Sequence, residues 1–325
     1  MRRRESGVAL ITVLLVVALA TIAAVQMTAQ GQYDRRRTAN RLALEQAHEV
    51  ALGGERWAVA VLARDRRGKG ADLQQQSIRD KQGGNANVDS RDEAWAQTLP
   101  PIPIEGGQVA GNIEDAQGRF NVNSLLDAQG SVDAVALARF ERLLQSAGVD
   151  RRVANAVIDW LDADAETTYP AGAEDDFYAG LERPYRAANT GMATASELRL
   201  VRGIDAQVWA ALAPAVTALP GSTPINVNTA KPAVLAAIVP GLEPEAAEQI
   251  VEQVADKPFD SVQQFLESPL VKGKDVPADG LAVRSSHFRV RVDVEMGPLT
   301  YTLYSWLQRA DNGRSRVLRR SRTPN

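Results

Sequence analysis

The chain has 325 residues, with 37 lysines and arginines against 40 aspartates and glutamates; the net charge of −3 provides no global attraction for nucleic acid. It contains no cysteine, which excludes disulfides, thiol catalysis and cysteine-ligated zinc or iron–sulfur sites, and it has only two histidines, His48 and His287. Length alone allows about two soluble units.

The first feature is an anchor. After Met1-Arg2-Arg3-Arg4-Glu5-Ser6-Gly7, no charged residue occurs until Asp34, and residues 8–25 are almost wholly Val, Leu, Ile, Ala and Thr. A run of about 20 such residues crosses a hydrocarbon core as a helix. A secretory signal has a shorter apolar run and a cleavage site on its far side. Here the small residue, Gly7, precedes the apolar run, so a cut after it would remove a short basic leader and leave the helix on the chain. The three leader arginines favour a cytoplasmic N-terminus, with the rest of the chain across the membrane.

Beyond Met27 the pattern becomes amphipathic. Leu42, Leu44, Ala47, Val50, Ala51, Trp57, Val61 and Leu62 recur near helical spacing between charged residues, which predicts one helix over 8–64 whose second half needs a sheet to cover it. Residues 66–87 are rich in Gly, Gln, Lys and Asp and read as an exposed loop, and Pro100, Pro101 and Pro103 read as an extended linker. Residues 108–115 and 118–122 form two β-like runs that suggest a hairpin through Ala116-Gln117.

A helical block follows. Ser131 precedes an apolar helix that stops at Gly148, Thr194-Ala-Ser-Glu197 has capping-box spacing, and Pro232 and Pro244 fit first-turn positions. Asn121-Val122-Asn123 recurs as Asn226-Val227-Asn228, pointing to an internal duplication. Strands return with Phe288, Val290, Val292 and Val294 alternating with charged residues. A turn at Met296-Gly297-Pro298 leads to a second strand over 301–307, and Asp311-Asn312-Gly313 marks a hairpin to an edge at Val317-Leu318. Arg314, Arg316, Arg319, Arg320 and Arg322 read as a solvated tail. The fold class expected is α+β: a long N-terminal helix packed on an antiparallel sheet, with a large all-α insertion.

Seven acids, Asp159, Asp162, Asp164, Glu166, Glu174, Asp175 and Asp176, fall in eighteen residues. Oxygen donors at this density, with no histidine nearby, suit calcium better than zinc, although the spacing is not that of an EF-hand. A solvated acidic loop is the other reading of the same spacing. A two-metal hydrolase site would also use carboxylates, but no histidine lies in the cluster and no serine sits in a nucleophile-elbow sequence, so no enzyme activity is expected.

The basic leader ending in Gly7, followed by an apolar helix that continues into an amphipathic one, resembles the type IV prepilins and type II secretion pseudopilins. Val8 and Thr12 stand where that family usually has an aromatic residue and a glutamate; a subunit without the glutamate resembles the K-type minor pseudopilin (GspK). Asp159-Trp-Leu-Asp162-Ala-Asp164, then Gly172-Ala-Glu174-Asp175 and Pro184-Tyr185, resemble the same group, whose helical domain binds calcium.

The resemblance implies a leader (1–7), a transmembrane helix (8–27), a pilin-like domain in two parts (28–123 and 281–325) and a helical insertion (124–280). It further implies cleavage between Gly7 and Val8 by prepilin peptidase, a single span in the inner membrane and a periplasmic C-terminal domain. Its partners would be other minor pseudopilins at the filament tip, the major pseudopilin shaft, the inner-membrane secretion platform and the lipid bilayer, with a calcium site among Asp159, Asp162, Asp164, Glu174, Asp175 and Asp176. The role implied is to initiate or cap the filament for protein export.

Residues 225–230, with Val239-Pro240-Gly241-Leu242, also resemble a SAM-like or helix-hairpin-helix unit, so a competence-type minor pilin that binds DNA is the alternative. Glu243 and Glu245 would repel a phosphate there, and no nucleic-acid partner is expected.

Overall fold

The computed structural model describes residues 5–67 and 87–324. Leader residues 1–4 and most of the loop expected over 66–87 lie outside them. Helix α1 (Glu5–Arg67) runs 63 residues without interruption, about 95 Å at the standard rise. Its apolar first part is long enough to cross a membrane.

The second half of α1 buries a narrow seam of Ala47, Ala51, Glu55, Ala58 and Leu62, spaced by three or four residues. Leu42 and Trp57, expected on this face, are instead exposed, lying outside the buried seam. At Gly54 an added Cβ would sit 2.8 Å from Val292 Cγ1. Glu55, expected on the polar side, is buried in the seam: its carboxylate accepts from Ser305 Oγ at 2.5 Å and from Arg320 Nε and Nη2 at 2.7 and 2.8 Å. Burial raises its pKa, but these partners outweigh that and hold it below the usual carboxylate value.

The three prolines do not form a linker. They lie in strand β1 (Leu99–Ile104), which pairs antiparallel with β2 (Gly107–Asp115) at the sheet edge, where missing N–H groups cost little. Nor does β2 turn back on itself as expected. Ala116–Gly118 is a 3₁₀ turn, started by Asp115 accepting from Gln117 N at 2.8 Å. The next strand, β3 (Phe120–Asn121), pairs in parallel with β4 (Val216–Thr217). Gln117 holds this departure in place, donating to Pro224 O at 2.8 Å and accepting from Ser286 N at 2.7 Å.

The helical block contains α2 (Ala134–Ser146), α3 (Val153–Leu161), α4 (Asp175–Ala179), α5 (Ala206–Leu212), α6 (Pro232–Ile238), α7 (Pro244–Asp256) and α8 (Val262–Leu266). A second parallel pair, β5 (Ile225–Asn226) with β6 (Leu281–Ala282), closes it. Asp133, not Ser131, caps α2, accepting from Val135 N and Ala136 N at 2.9 Å. Glu197 reaches back to Thr194 N at 2.8 Å, as its spacing predicts. Phe140, Leu144, Tyr178, Leu198, Leu235 and Phe265 share one continuous core.

The two Asn-Val-Asn segments do the same work twice. Asn123 donates to Met192 O and accepts from Met192 N, at 2.9 and 2.8 Å; Asn228 does so with Phe259 O and N, at 3.0 and 2.8 Å. Each side-chain amide thus stands in for a strand's peptide group and satisfies a buried loop residue. Asn121 and Asn226 accept from the N–H of Asn123 and Asn228, fixing the bend that aims each amide.

Strands β7 (His287–Met296), β8 (Leu299–Arg309) and β9 (Ser315–Ser321) complete a five-stranded antiparallel sheet in the order β1-β2-β7-β8-β9. β2 and β7 pair from Gly107↔Met296 to Asp115↔Phe288, so the strands on either side of the helical block are neighbours and the block is inserted between them. Val290, Val292, Val294, Leu303 and Leu307 face α1. The C-terminal arginines are not a solvated tail over this strand. Arg320 pairs with Glu55, and the Arg319 guanidinium lies 3.8 Å from the Trp306 ring centroid, because β9 brings them onto the sheet.

Arg309 joins these parts. Its side chain is 2% exposed, with Nη1 2.7 Å from Asp65 Oδ2 on α1 and Nη2 bonded to Asp89 Oδ1 and, at 3.0 Å, to Ser285 O. The guanidinium also lies 4.6 Å from the centroid of Phe288. Asp89 Oδ2 accepts from Ser285 N at 2.7 Å, so both ends of the Asp89 carboxylate are used. Arg309→Ala is expected to leave Asp65 and Asp89 buried without their cation and to cost roughly 3–5 kcal/mol. Chemical denaturation of the detergent-solubilised chain checks this, with Trp95, stacked edge-on at 5.2 Å against Phe288, as the fluorescence reporter; a loss below about 1 kcal/mol would contradict it.

Candidate metal centre

Helix α3 ends at Leu161 because Asp162 is already extended, at φ −74° and ψ 169°. Asp162 and Asp164 are two residues apart in non-helical chain, and a loop then returns to Glu174, the N-cap of α4. Asp162, Asp164 and Glu174 thereby each offer a carboxylate oxygen within 4.8 Å of the others.

Asp162 Oδ1 and both Glu174 oxygens are buried with no hydrogen-bond partner. Burial first, then the neighbouring carboxylates, pushes Glu174 up to about 7 and Asp162 up to about 6. The contrast with the other carboxylate group is direct. Asp65, Asp89 and Glu93 also converge within 4.8 Å, but the guanidinium of Arg309 binds two of them and Glu93 accepts from Ser90 N and Trp95 Nε1, at 3.0 and 2.7 Å. Among the described residues, no lysine or arginine pairs with Asp162, Asp164 or Glu174. Buried Glu174 and half-buried Asp162, joined by exposed Asp164 and lacking an internal cation, fit a divalent ion open to solvent on one side, and an all-oxygen donor set favours calcium.

The other three expected residues are not among the converging oxygens, although Asp159 lies near enough to raise both Asp162 and Glu174. Asp159, fully buried in the last turn of α3, accepts from Thr168 N at 3.1 and 3.2 Å and so shapes the loop. The packing there is tight enough that a Cβ on Gly172 would collide with Asp159 Oδ2. Asp175 Oδ1 accepts from Ala187 N at 2.9 Å, and Asp176 is exposed on α4. Asn189 escaped sequence reasoning. It lies thirteen residues beyond the acidic run, yet at φ 46° its Nδ2 donates to Asp164 O at 2.8 Å and its Oδ1 is buried without a partner. Below the loop, Trp160 and Tyr178 meet edge-on at 5.3 Å and Tyr178 stacks on Tyr185 at 5.2 Å, forming a rigid floor.

Residues 118–221 and 225–284 match the two family regions described as Type II secretion system (T2SS), protein K. The boundary between them falls between the two Asn-Val-Asn units. A type II secretion system protein K of Pseudomonas aeruginosa is 39% identical over 98% of this chain and 93% of its own length. This chain belongs to the protein K family of type II secretion. The Aeromonas hydrophila protein K is 31% identical over 98% of the chain and 97% of its own length. Among solved structures, a chain from the GspK-GspI-GspJ complex of enterotoxigenic Escherichia coli matches with a TM-score of 0.73 and 25% identity, covering 88% of this chain and 98% of that one. Family members are minor pseudopilins, so the carboxylate group belongs to a secretion-system component.

Calcium added to the chelated protein is expected to raise its melting temperature by about 5 °C or more at a hundredfold excess over Kd, by mass action on the folded state. Asp162→Asn with Asp164→Asn should abolish the shift. The raised carboxylates give a sign: without metal, their contribution is fully present below about pH 4 and is lost as pH rises through about 7. The ion needs the deprotonated forms, so the calcium-induced shift should grow between about pH 5 and 8. Differential scanning at several pH values, with and without chelator, checks both, and a shift independent of pH would contradict the assignment of these acids.

Proposed function

We propose that this chain is the tip subunit of a type II secretion pseudopilus, where it initiates or caps the filament, held in the inner membrane by a single span with its sheet and helical insertion in the periplasm. The observation that carries this reading is the insertion itself. The chain leaves the sheet at Asp115 and rejoins the neighbouring strand at His287, so a domain-sized body is mounted on the sheet, and in a helical shaft its copies would compete for the space of adjacent subunits. Thr12 supports the same position. Its Oγ1 donates to Ala9 O at 2.9 Å within α1, so a place with no subunit above it strands no charge in lipid.

The E. coli neighbour's complex with GspI and GspJ supports other minor pseudopilins as partners. A groove of about 430 Å³ between α1 and the sheet edge, lined by Gly53, Trp57, Leu99 and Ile102, offers them apolar surface. The shaft subunit, the secretion platform and prepilin peptidase complete the set, and cleavage after Gly7 makes Val8 the first, methylated residue. Calcium at Asp162, Asp164 and Glu174 is structural, and the protein is not an enzyme. DNA binding by the SAM-like hairpin is disfavoured by the carboxylates of Glu243, at the residue before α7, and Glu245 in its first turn, and by Lys274 Nζ already donating to Gly241 O at 2.8 Å.

Gold-labelled chain is expected at one end of purified filaments, in small amount relative to the shaft subunit; label distributed along their length would overturn the tip placement. The mass of the membrane-extracted chain should begin at Val8, and an intact leader would contradict the processing.

A further inference from the structure

Arg35, Arg36, Arg37 and Arg41 follow the apolar span on the side away from the leader, offset within residues 28–44 by Asp34 alone. All four side chains are exposed, and no described residue pairs with them. With the leader cytoplasmic, as proposed, they stand on the side where the positive-inside rule does not call for basic residues, so their presence needs another cause. Nor do they belong to the α1–sheet interface, whose buried seam begins at Ala47.

Helix geometry places them against a membrane surface. α1 continues without a break from the span, so Tyr33 stands about 9 Å beyond Met27 and Arg35 to Arg37 about 12–15 Å beyond it. The interfacial layer on each side of the hydrocarbon is roughly 5–7 Å thick. Side chains on a helix lean toward its N-terminus and cover the preceding turn, which here is the direction of the bilayer. Long arginines therefore reach back about one turn, which leaves Arg35 to Arg37 at the edge of the layer and Arg41, about 21 Å beyond Met27, about one Debye length of 8–10 Å from it. Three successive residues advance by about 100° each, so Arg35, Arg36 and Arg37 point to different sides of the helix rather than to one neighbour. Tyr33, 72% exposed, stands just outside that layer, and its ring, leaning back toward the helix N-terminus, reaches the headgroup region where aromatic residues settle.

We propose that Arg35, Arg36, Arg37 and Arg41 form a girdle that binds anionic phospholipid headgroups on the periplasmic face of the inner membrane and fixes the depth of α1 before the subunit enters the filament. The inference rests on the single-span reading. Polybasic segments beside a span attract anionic lipid within a Debye length of the surface, and guanidinium matches phosphate in a bidentate fashion that no single orientation of the helix is needed to satisfy.

The test reconstitutes the full chain into nanodiscs of 30% phosphatidylglycerol and 70% phosphatidylcholine and measures the lipid retained on the protein after detergent extraction. The wild type is compared with R35Q/R36Q/R37Q/R41Q. The wild type should retain phosphatidylglycerol at several times its bulk fraction, with the preference falling in 0.5 M salt, and the variant should return to the bulk ratio. Equal retention by the two proteins overturns the girdle. So does an unchanged lipid preference in the variant accompanied by loss of co-purifying minor pseudopilins, which would make the arginines a protein-docking surface. Carbonate resistance of both proteins is read separately: if neither stays in the membrane, the span reading itself fails, whereas retained insertion without lipid preference removes only the girdle.

Discussion

The guanidinium of Arg309 is the constraint on which the arrangement of parts depends. Three segments meet at it that are far apart in sequence: the end of α1 through Asp65, the strand-free approach to the sheet through Asp89, and the start of β7 through Ser285 O. Taking one cation and two carboxylates out of water is unfavourable unless every donor and acceptor is used. Asp89 meets that condition, with one carboxylate oxygen bonded to Arg309 and the other accepting from Ser285 N, while Arg309 places both of its terminal nitrogens. Glu93, pushed up to about 8 mainly by burial and then by Asp65, sits in the same group as the acid most readily kept neutral, which reduces the net negative charge enclosed there.

The helical insertion solves a different problem. Each of its two halves uses a two-residue parallel pair and an asparagine amide to satisfy backbone groups that helices leave over. Asn226 also donates to Asp89 O, Asp115 Oδ2 and Ser285 Oγ, at 2.9, 2.9 and 3.0 Å. The second half of the insertion is thereby tied into the same polar junction that Arg309 organises, and the insertion is fastened to the sheet by directional bonds as well as by the two chain connections.

Much of this was legible in sequence, and the reasons differ by element. The span and the β7 and β8 strands were legible because their patterns are local: a long uncharged run, and Val290, Val292 and Val294 alternating with charge. The equivalence of the two Asn-Val-Asn segments was legible because the motif is short and repeated. The β1 strand was not, since Pro100, Pro101 and Pro103 argue against any strand that needs a full ladder, and only the edge position removes that need. The departure of the chain at Ala116 was equally hidden, because it depends on Gln117 reaching Pro224 and Ser286, contacts more than a hundred residues away. In the acidic run, composition marked the region but not the members. Which carboxylates converge is set by where α3 stops and where Glu174 returns, and Asn189 contributes from outside the run.

The edge strand carries one more implication. Three of the six residues of β1 are prolines with no N–H to offer, so another chain laid alongside would find the ladder of donors broken. On that side, continuation of the sheet into a neighbour is disfavoured. Any subunit approaching there has to recognise shape and side chains, such as the exposed Ile102 and Trp57, rather than borrow a backbone ladder, and contact of that kind can be made and released without refolding either partner's sheet.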